Sequence, residues 1–157
     1  LKEAGANLII EEDSIICKRH KNLKAIDIRT YYYPGFPTDL QQPMSSFLTQ
    51  CVGTSKIEET IYENRFMHIP YLKSMGADIG IKNNLAIIKG KTRLKGSSVT
   101  ATDLRAGAAL VIAGLIADGK TTITGVEHIL RGYEGIIEKL SNVGADIKIE
   151  EKTCQTS

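Results

Sequence analysis

The sequence predicts a mixed α/β fold assembled from one supersecondary unit used more than once. Three observations lead there. First, three stretches match one another: Leu1-Lys2-Glu3-Ala4-Gly5-Ala6-Asn7-Leu8-Ile9-Ile10, Leu72-Lys73-Ser74-Met75-Gly76-Ala77-Asp78-Ile79-Gly80-Ile81 and Leu140-Ser141-Asn142-Val143-Gly144-Ala145-Asp146-Ile147-Lys148-Ile149. Each reads as a helix end, a glycine stop and an alternating strand. Second, points between them also match: Leu23 with Leu94, and Thr38-Asp39-Leu40 with Thr102-Asp103-Leu104. The first copy carries Tyr31-Tyr32-Tyr33-Pro34-Gly35-Phe36-Pro37 as an insertion before its Asp. Third, isoleucine occurs 21 times in 157 residues, a load of β-branched apolar side chain that favours buried strands. Internal repetition at this length implies a symmetric architecture.

The opening residues, which read as the last turn of a helix, make the chain look like a piece of something longer. In the first copy Leu40 to Cys51 is the central helix, with Met44, Phe47 and Leu48 on one face and Pro43 in its first turn, where a missing N–H costs little. Lys56 to Ile61 is a strand, and Pro70 opens a short helix that stops at Gly76. The second copy is more regular. Ala77 to Ile81 alternates as a strand, Asn83-Asn84 turns, and Leu85 to Lys89 returns. Ser97 to Thr100 is a third short strand, and Thr102 is placed to cap the helix that follows. That helix, Leu104 to Ala117, is apolar nearly all round and belongs inside the domain, with Leu110, Ile112 and Leu115 buried. Asp118-Gly119 ends it, Thr121 to Thr124 is a fourth strand, and Tyr133 to Asn142 is an amphipathic helix with Ile136, Ile137 and Leu140 inward. The expected units are residues 5–76 and 77–150, with a closing strand and a frayed tail at 151–157.

Composition narrows the function. The chain is 42% hydrophobic and 24% charged, enough for a real core. Lys+Arg is 20 against 18 for Asp+Glu, a net charge of +2, so a strongly cationic nucleic-acid module is excluded and no nucleic-acid partner is expected. No apolar run reaches the roughly 18–20 residues of a membrane span. Cys17, Cys51 and Cys154 are odd in number and form no CxxC pair, which speaks against a zinc site or a disulfide framework. Reduced thiols, no basic-then-apolar leader and a cytoplasmic setting are the expectation.

The residues able to do chemistry fall at equivalent places in the copies. Asp39 and Asp103 each precede a buried helix, where a carboxylate either caps the helix or faces a site. Arg105 sits at a helix start, against the dipole, which calls for a bound anion or a neighbouring carboxylate. Arg65 and Arg131 both follow a strand and precede a helix. Three arginines and two aspartates brought to one edge would make an anion site flanked by acid/base groups. His20, His68 and His128 are scattered and read as surface or capping residues. Cys51 reads as core, and the tyrosine run as packing beside a turn.

Four of these stretches, Tyr33-Pro34-Gly35-Phe36-Pro37-Thr38-Asp39-Leu40-Gln41-Gln42, Ile61-Tyr62-Glu63-Asn64-Arg65-Phe66, Ala101-Thr102-Asp103-Leu104-Arg105-Ala106 and Arg131-Gly132-Tyr133-Glu134, closely resemble the bacterial UDP-N-acetylglucosamine 1-carboxyvinyltransferases, in the family's order and over nearly the whole chain to about Glu150. The resemblance implies an inverse α/β prism of two lobes, each lobe holding three repeated βαβαββ units around buried helices. This chain would be about two of the three units of one lobe, in the C-terminal portion of the enzyme, with the N-terminal lobe as its missing partner. It implies transfer of the enolpyruvyl group of phosphoenolpyruvate to the 3-hydroxyl of UDP-N-acetylglucosamine in peptidoglycan synthesis, with no metal or organic cofactor. Carried over by motif, Asp39 would bind the sugar hydroxyl and act as its base. Ile61 would contact the nucleotide sugar through its backbone, and Arg65, Arg105 and Arg131 would hold phosphoenolpyruvate. Asp103 would orient or relay protons.

The family's reactive cysteine or aspartate loop and its Lys-Asn pair have no match here, and Leu130 stands where an acid is usual. The isolated chain is therefore expected to be inactive and, with an uncovered apolar face, to associate into a homo-oligomer. The alternatives are a non-catalytic binding or structural module of the same fold and the shikimate-pathway enolpyruvyl transferase.

Overall fold

The computed structural model describes residues 1–18 and 22–150; His20, Cys154 and the expected tail lie outside them. Two runs of elements follow one another. The first is a hairpin of β1 (Asn7–Ile10) and β2 (Ile15–Lys18), then β3 (Asp27–Arg29), α1 (Gln41–Leu48), β4 (Gly53–Glu58) and α2 (Ile69–Ser74). The second is a hairpin of β5 (Asp78–Lys82) and β6 (Leu85–Gly90), then β7 (Ser98–Thr100), α3 (Leu104–Ile116), β8 (Thr122–Thr124), α4 (Glu127–Leu130) and α5 (Ile136–Asn142). In both runs the two short strands flanking the central helix pair in parallel, β3 with β4 and β7 with β8.

The matched Leu-x-x-x-Gly-Ala stretches fold alike because the same hydrogen bonds close them. Gly5, Gly76 and Gly144 have φ of 88°, 99° and 94°. Their N–H groups donate to Lys2, Lys73 and Ser141 at 2.9 Å, and the N–H groups of Ala6, Ala77 and Ala145 reach back to Leu1, Leu72 and Leu140 at 3.0–3.1 Å. That pair of bonds is the Schellman closure, and its left-handed residue favours glycine. The crossing further on also recurs. Val52 N–H donates to Leu23 and Asp118 N–H to Leu94, both at 2.9 Å, while Thr30 N–H donates to Glu58 and Ala101 N–H to Thr124, both at 2.9 Å.

The second hairpin does not stand alone. β6 lies antiparallel on β4, giving a four-stranded sheet in the order β3-β4-β6-β5. Ser55, Ile57, Ala86 and Ile88 alternate inward from its central strands, and the three apolar ones join Leu48, Ile69, Leu72 and Leu110 in one core. α1 and α3 pack closely within it, and Ser46 Oγ donates to the Ala109 carbonyl at 2.7 Å. A small residue lets α4 come close to α3 from another side: Gly107 of α3 has Ile129 of α4 so near that a Cβ would fall 2.4 Å from its side chain.

Five expectations need correction. Asp103, not Thr102, caps α3, because its Oδ1 reaches the free N–H groups of Arg105 at 2.8 Å and Ala106 at 3.1 Å. Leu110 is fully buried, but Ile112 is only partly so and Leu115 is 45% exposed, since no described element covers the last turn of α3. The strand expected over residues 145–149 does not form; its counterpart β5 is held by β6, and residues 145–149 find no such partner among the described residues. The strand expected to reach Ile61 ends at Glu58, which leaves Ile61 in a loop. Tyr31, Tyr32 and Tyr33 point outward rather than packing beside their turn.

Gly76→Ala should destabilise the chain by about 1–2 kcal/mol, the cost of a left-handed angle for an L-residue, since the new Cβ meets only ordinary contact. Gly80→Ala, in open space with no such angle, should be within about 0.5 kcal/mol of neutral. Urea unfolding of the two variants side by side checks this.

Candidate functional site

The insertion at residues 31–37 and the turn that follows it set the first acid in place. Tyr31 N–H donates to Phe36 at 2.9 Å and closes a small loop, and a single 3-10 turn, Thr38–Leu40, leads into α1. Asp39 stands in that turn with a 63% exposed side chain. Its Oδ1 accepts from Arg105 Nε at 2.5 Å and from Arg65 Nη1 at 3.4 Å. The helix-start arginine of the second copy is thus turned onto the aspartate of the first. The hydrogen bond and charge of Arg105, with the charge of Arg65, hold the Asp39 carboxyl below its ordinary value of 3.8 against the opposing effect of partial burial.

Arg65 comes from the loop between β4 and α2. Its guanidinium lies 4.2 Å over the Tyr62 ring, a cation–π contact, and its carbonyl accepts from the buried Gln42 Nε2 at 3.2 Å. Asp103 is committed through Oδ1 to the cap of α3 and leaves Oδ2 for other work. Asp39, Arg65, Asp103 and Arg105 are therefore brought to the start of α3. Arg131 follows α4 as its C-cap residue. The next residue, Gly132, packs against Leu104, so Arg131 is carried to the same end of α3, but its exposed side chain makes no ion pair with a described residue. Ile61 donates its N–H to Glu59 Oε1 at 2.9 Å.

Sequence reasoning missed three groups here. Glu59, only 3% exposed, accepts from Thr30 Oγ1 and Thr38 Oγ1 at 2.8 Å and from the N–H groups of Ile61 and Tyr62. Gln41 and Gln42 open α1 yet are buried, and both ends of Gln41 lack a hydrogen-bond partner among the described residues. His68 is fully buried instead of at the surface, and neither ring nitrogen has a well-formed hydrogen bond to a described residue. Burial pushes its pKa down to about 4, against the pull of the Asp103 charge and the Arg65 backbone. The one available signal was the end of alternation at Glu58-Glu59, where two adjacent acids cannot both face water from one strand.

A shallow cavity of about 470 Å³ is lined by Tyr62, Asn64, Arg65, Met67, Ile81 and Asn84 among others. Arg65 belongs to its wall, whereas Asp39, Asp103 and Arg105 stand outside it. The charged cluster is thus an open edge, where opposite charges meet at the start of α3. Among the described residues no helix is long and apolar enough to cross a membrane.

Comparison with known proteins gives a consistent set. The family model described as EPSP synthase (3-phosphoshikimate 1-carboxyvinyltransferase) matches residues 1–140. UDP-N-acetylglucosamine 1-carboxyvinyltransferase 2 of Listeria monocytogenes serovar 1/2a is 58% identical over 147 residues, which cover 94% of this chain and 35% of that protein. This chain therefore spans about a third of the length of that curated relative. The solved structure of the enolpyruvyl transferase NikO from Streptomyces tendae matches at a TM-score of 0.85 and 27% identity, covering 94% of this chain and 34% of that one. EPSP synthase from Acinetobacter baumannii matches at a TM-score of 0.72 and 21% identity, covering 96% and 38%, a likeness of fold.

Two outcomes are expected. Arg105→Ala should raise the Asp39 carboxyl midpoint more than Arg65→Ala, as read by carbon-detected NMR titration, because the Arg105 contact is the shorter. For His68, the unfolded imidazole takes its proton near 6.5 and the buried one only at about 4. Its contribution to stability is therefore full above pH 6.5 and is lost as pH falls from there towards 4. His68→Leu should flatten the fall in urea midpoint between pH 6.5 and 5.

Proposed function

This chain belongs to the EPSP synthase (3-phosphoshikimate 1-carboxyvinyltransferase) family, and we propose that it is the C-terminal portion of an enolpyruvyl transferase acting on UDP-N-acetylglucosamine. The reaction moves the enolpyruvyl group of phosphoenolpyruvate to the sugar 3-hydroxyl and releases phosphate, by addition and then elimination. The nucleotide-sugar reading is favoured over the shikimate one by degree of likeness, 58% identity to the Listeria enzyme against 21% to the Acinetobacter EPSP synthase. We take residues 5–76 and 77–150 as two of three repeat units of one lobe. The remainder of the enzyme is the partner that would close the open edge.

The observation that carries the reading is Asp39 held between Arg65 and Arg105 at the start of α3. Addition of a hydroxyl to an enol phosphate needs a base for the attacking hydroxyl, an acid to protonate the methylene carbon, which the remainder of the enzyme would supply, and cations for a carboxylate and a phosphate. Asp39 is the base. Held below its ordinary value by Arg105, it is a weak one in the empty chain. An incoming anion competes for the same guanidinium groups, and as they turn to it the Asp39 carboxylate becomes more basic beside the sugar hydroxyl. Arg65, Arg105 and Arg131 bind the carboxylate and phosphate, Arg131 being the one with no ion pair to give up among the described residues. Asp103 orients the reacting carbons through its uncommitted oxygen while capping α3, and Ile61 offers its carbonyl to the nucleotide sugar.

Phosphate release by the complete enzyme is the test. Asp39→Asn should lower turnover by about 10²–10⁴-fold, the worth of a general base, with affinity changed less. Arg105→Ala should instead raise the KM for phosphoenolpyruvate, and Arg105→Lys should restore only part because lysine lacks the planar fork. The 157-residue chain by itself should release none above background. Unchanged turnover in Asp39→Asn would remove the assignment and leave Asp39 as the partner of two arginines.

A further inference from the structure

The two copies make the same crossing differently at one point. In the second, Ala101 N–H meets the Thr124 carbonyl and Gly125 follows, so close to Ala101 that a Cβ would fall 2.4 Å from its carbonyl oxygen. In the first, Thr30 N–H meets the Glu58 carbonyl and Glu59 follows. The fold can therefore make this crossing with two small side chains and no polar group. The first copy has instead a buried threonine and a buried carboxylate, which by themselves cost desolvation.

The hydrogen bonds of Glu59 show where that cost is offset. Oε1 accepts from Thr30 Oγ1 at 2.8 Å, Ile61 N–H at 2.9 Å and Tyr62 N–H at 3.2 Å. Oε2 accepts from Thr38 Oγ1 at 2.8 Å. Thr30 Oγ1 in turn accepts from Thr60 N–H at 2.8 Å. One carboxylate thus ties together the end of β3, the turn that bears Asp39 and the loop that bears Arg65. Thr38 directly precedes Asp39, and Tyr62 carries the ring on which the Arg65 guanidinium rests.

We infer that Glu59 is a positioning residue, which fixes the turn of Asp39 and the loop of Arg65 relative to each other through Thr38 and the Ile61–Tyr62 backbone. The inference deepens the proposed function and rests on it for its effect on turnover. Glu59 touches no reacting atom in this scheme; it sets the distance between the base and one of the cations, and a misplacement of about 1 Å can cost about 10²-fold in rate.

Three variants of the complete enzyme separate positioning from other roles. Thr38→Val keeps volume and removes only the bond to the Asp39 turn. It should lower kcat about tenfold and leave the phosphoenolpyruvate KM within about twofold. Glu59→Ala frees both segments and should lower kcat further and raise that KM. Glu59→Gln should recover most of the loss, because its amide oxygen can accept from Ile61 and Tyr62 while its NH₂ donates to Thr38. A merely structural Glu59 would lower the melting temperature and leave kcat and KM unchanged wherever the variant is folded, and that result overturns the inference. A glutamine variant as poor as the alanine one also overturns it, since it would mean that Glu59 handles a proton. Should Glu59→Ala fail to fold, Thr38→Val decides. The 157-residue chain supplies a readout independent of turnover. The Asp39 carboxyl midpoint should rise in Thr38→Val as its grip on Arg105 loosens, and an unchanged midpoint counts against positioning even if the wild-type enzyme proves inactive and the proposed function falls.

Discussion

The antiparallel ladder between β4 and β6 makes one structure of two runs of chain. It runs from Gly53 opposite Gly90 to Glu58 opposite Leu85. At one end Gly90 passes so close under the C-terminus of α1 that a Cβ would fall 2.1 Å from the Cys51 carbonyl, and Thr92 N–H donates to Thr49 at 2.8 Å. At the other end Glu59 N–H donates to the Asn84 carbonyl at 2.8 Å and Asn84 Nδ2 returns a bond to Glu59 at 3.0 Å. The ladder therefore holds the end of α1 and, through Glu59, the turn at its beginning. Backbone hydrogen bonds in a half-buried sheet are set by register, and a slip of one residue would turn every inward side chain outward. The place of Asp39 follows from that register more than from anything in its own turn.

Around this ladder the copies divide their work. The second supplies an almost wholly apolar helix, α3, whose start is capped by Asp103 and carries Arg105. The first supplies an insertion, a polar crossing built on Thr30 and Glu59, and the acid and arginine that face Arg105. Where the second copy has alanine and glycine, the first has the groups that hold a loop. Symmetry gives the frame, and the departures from symmetry make the charged cluster.

Much of this frame was legible in the residues. The three Leu-x-x-x-Gly-Ala closures and the apolar α3 depend on neighbours a few positions away, so periodicity and one left-handed glycine announce them. What failed to show depends on distant chain. His68, Gln41 and Gln42 look like surface residues until the packing of α1, α2 and α3 encloses them. Glu59 acts only when three segments meet, and two adjacent acids at a strand end do not say which will be buried. Residues 145–149 carry the strand pattern of 77–81, but a pattern becomes a strand only beside a partner. For the charged cluster, the motifs placed Asp39, Asp103 and Arg105 at helix starts. The turning of Arg105 onto Asp39 belonged to the docking of α1 on α3 and could not be read from either motif alone.

The Asp39–Arg105 pair joins the copies as well as the charges. After an internal duplication each copy is ordinarily free to drift, since a change in one leaves the other intact. An acid lent by one copy and a cation lent by the other withdraw that freedom, because the value of each side chain is then written partly in the opposite half. The two halves become complementary instead of redundant, and neither can stand in for the other however closely their backbones agree.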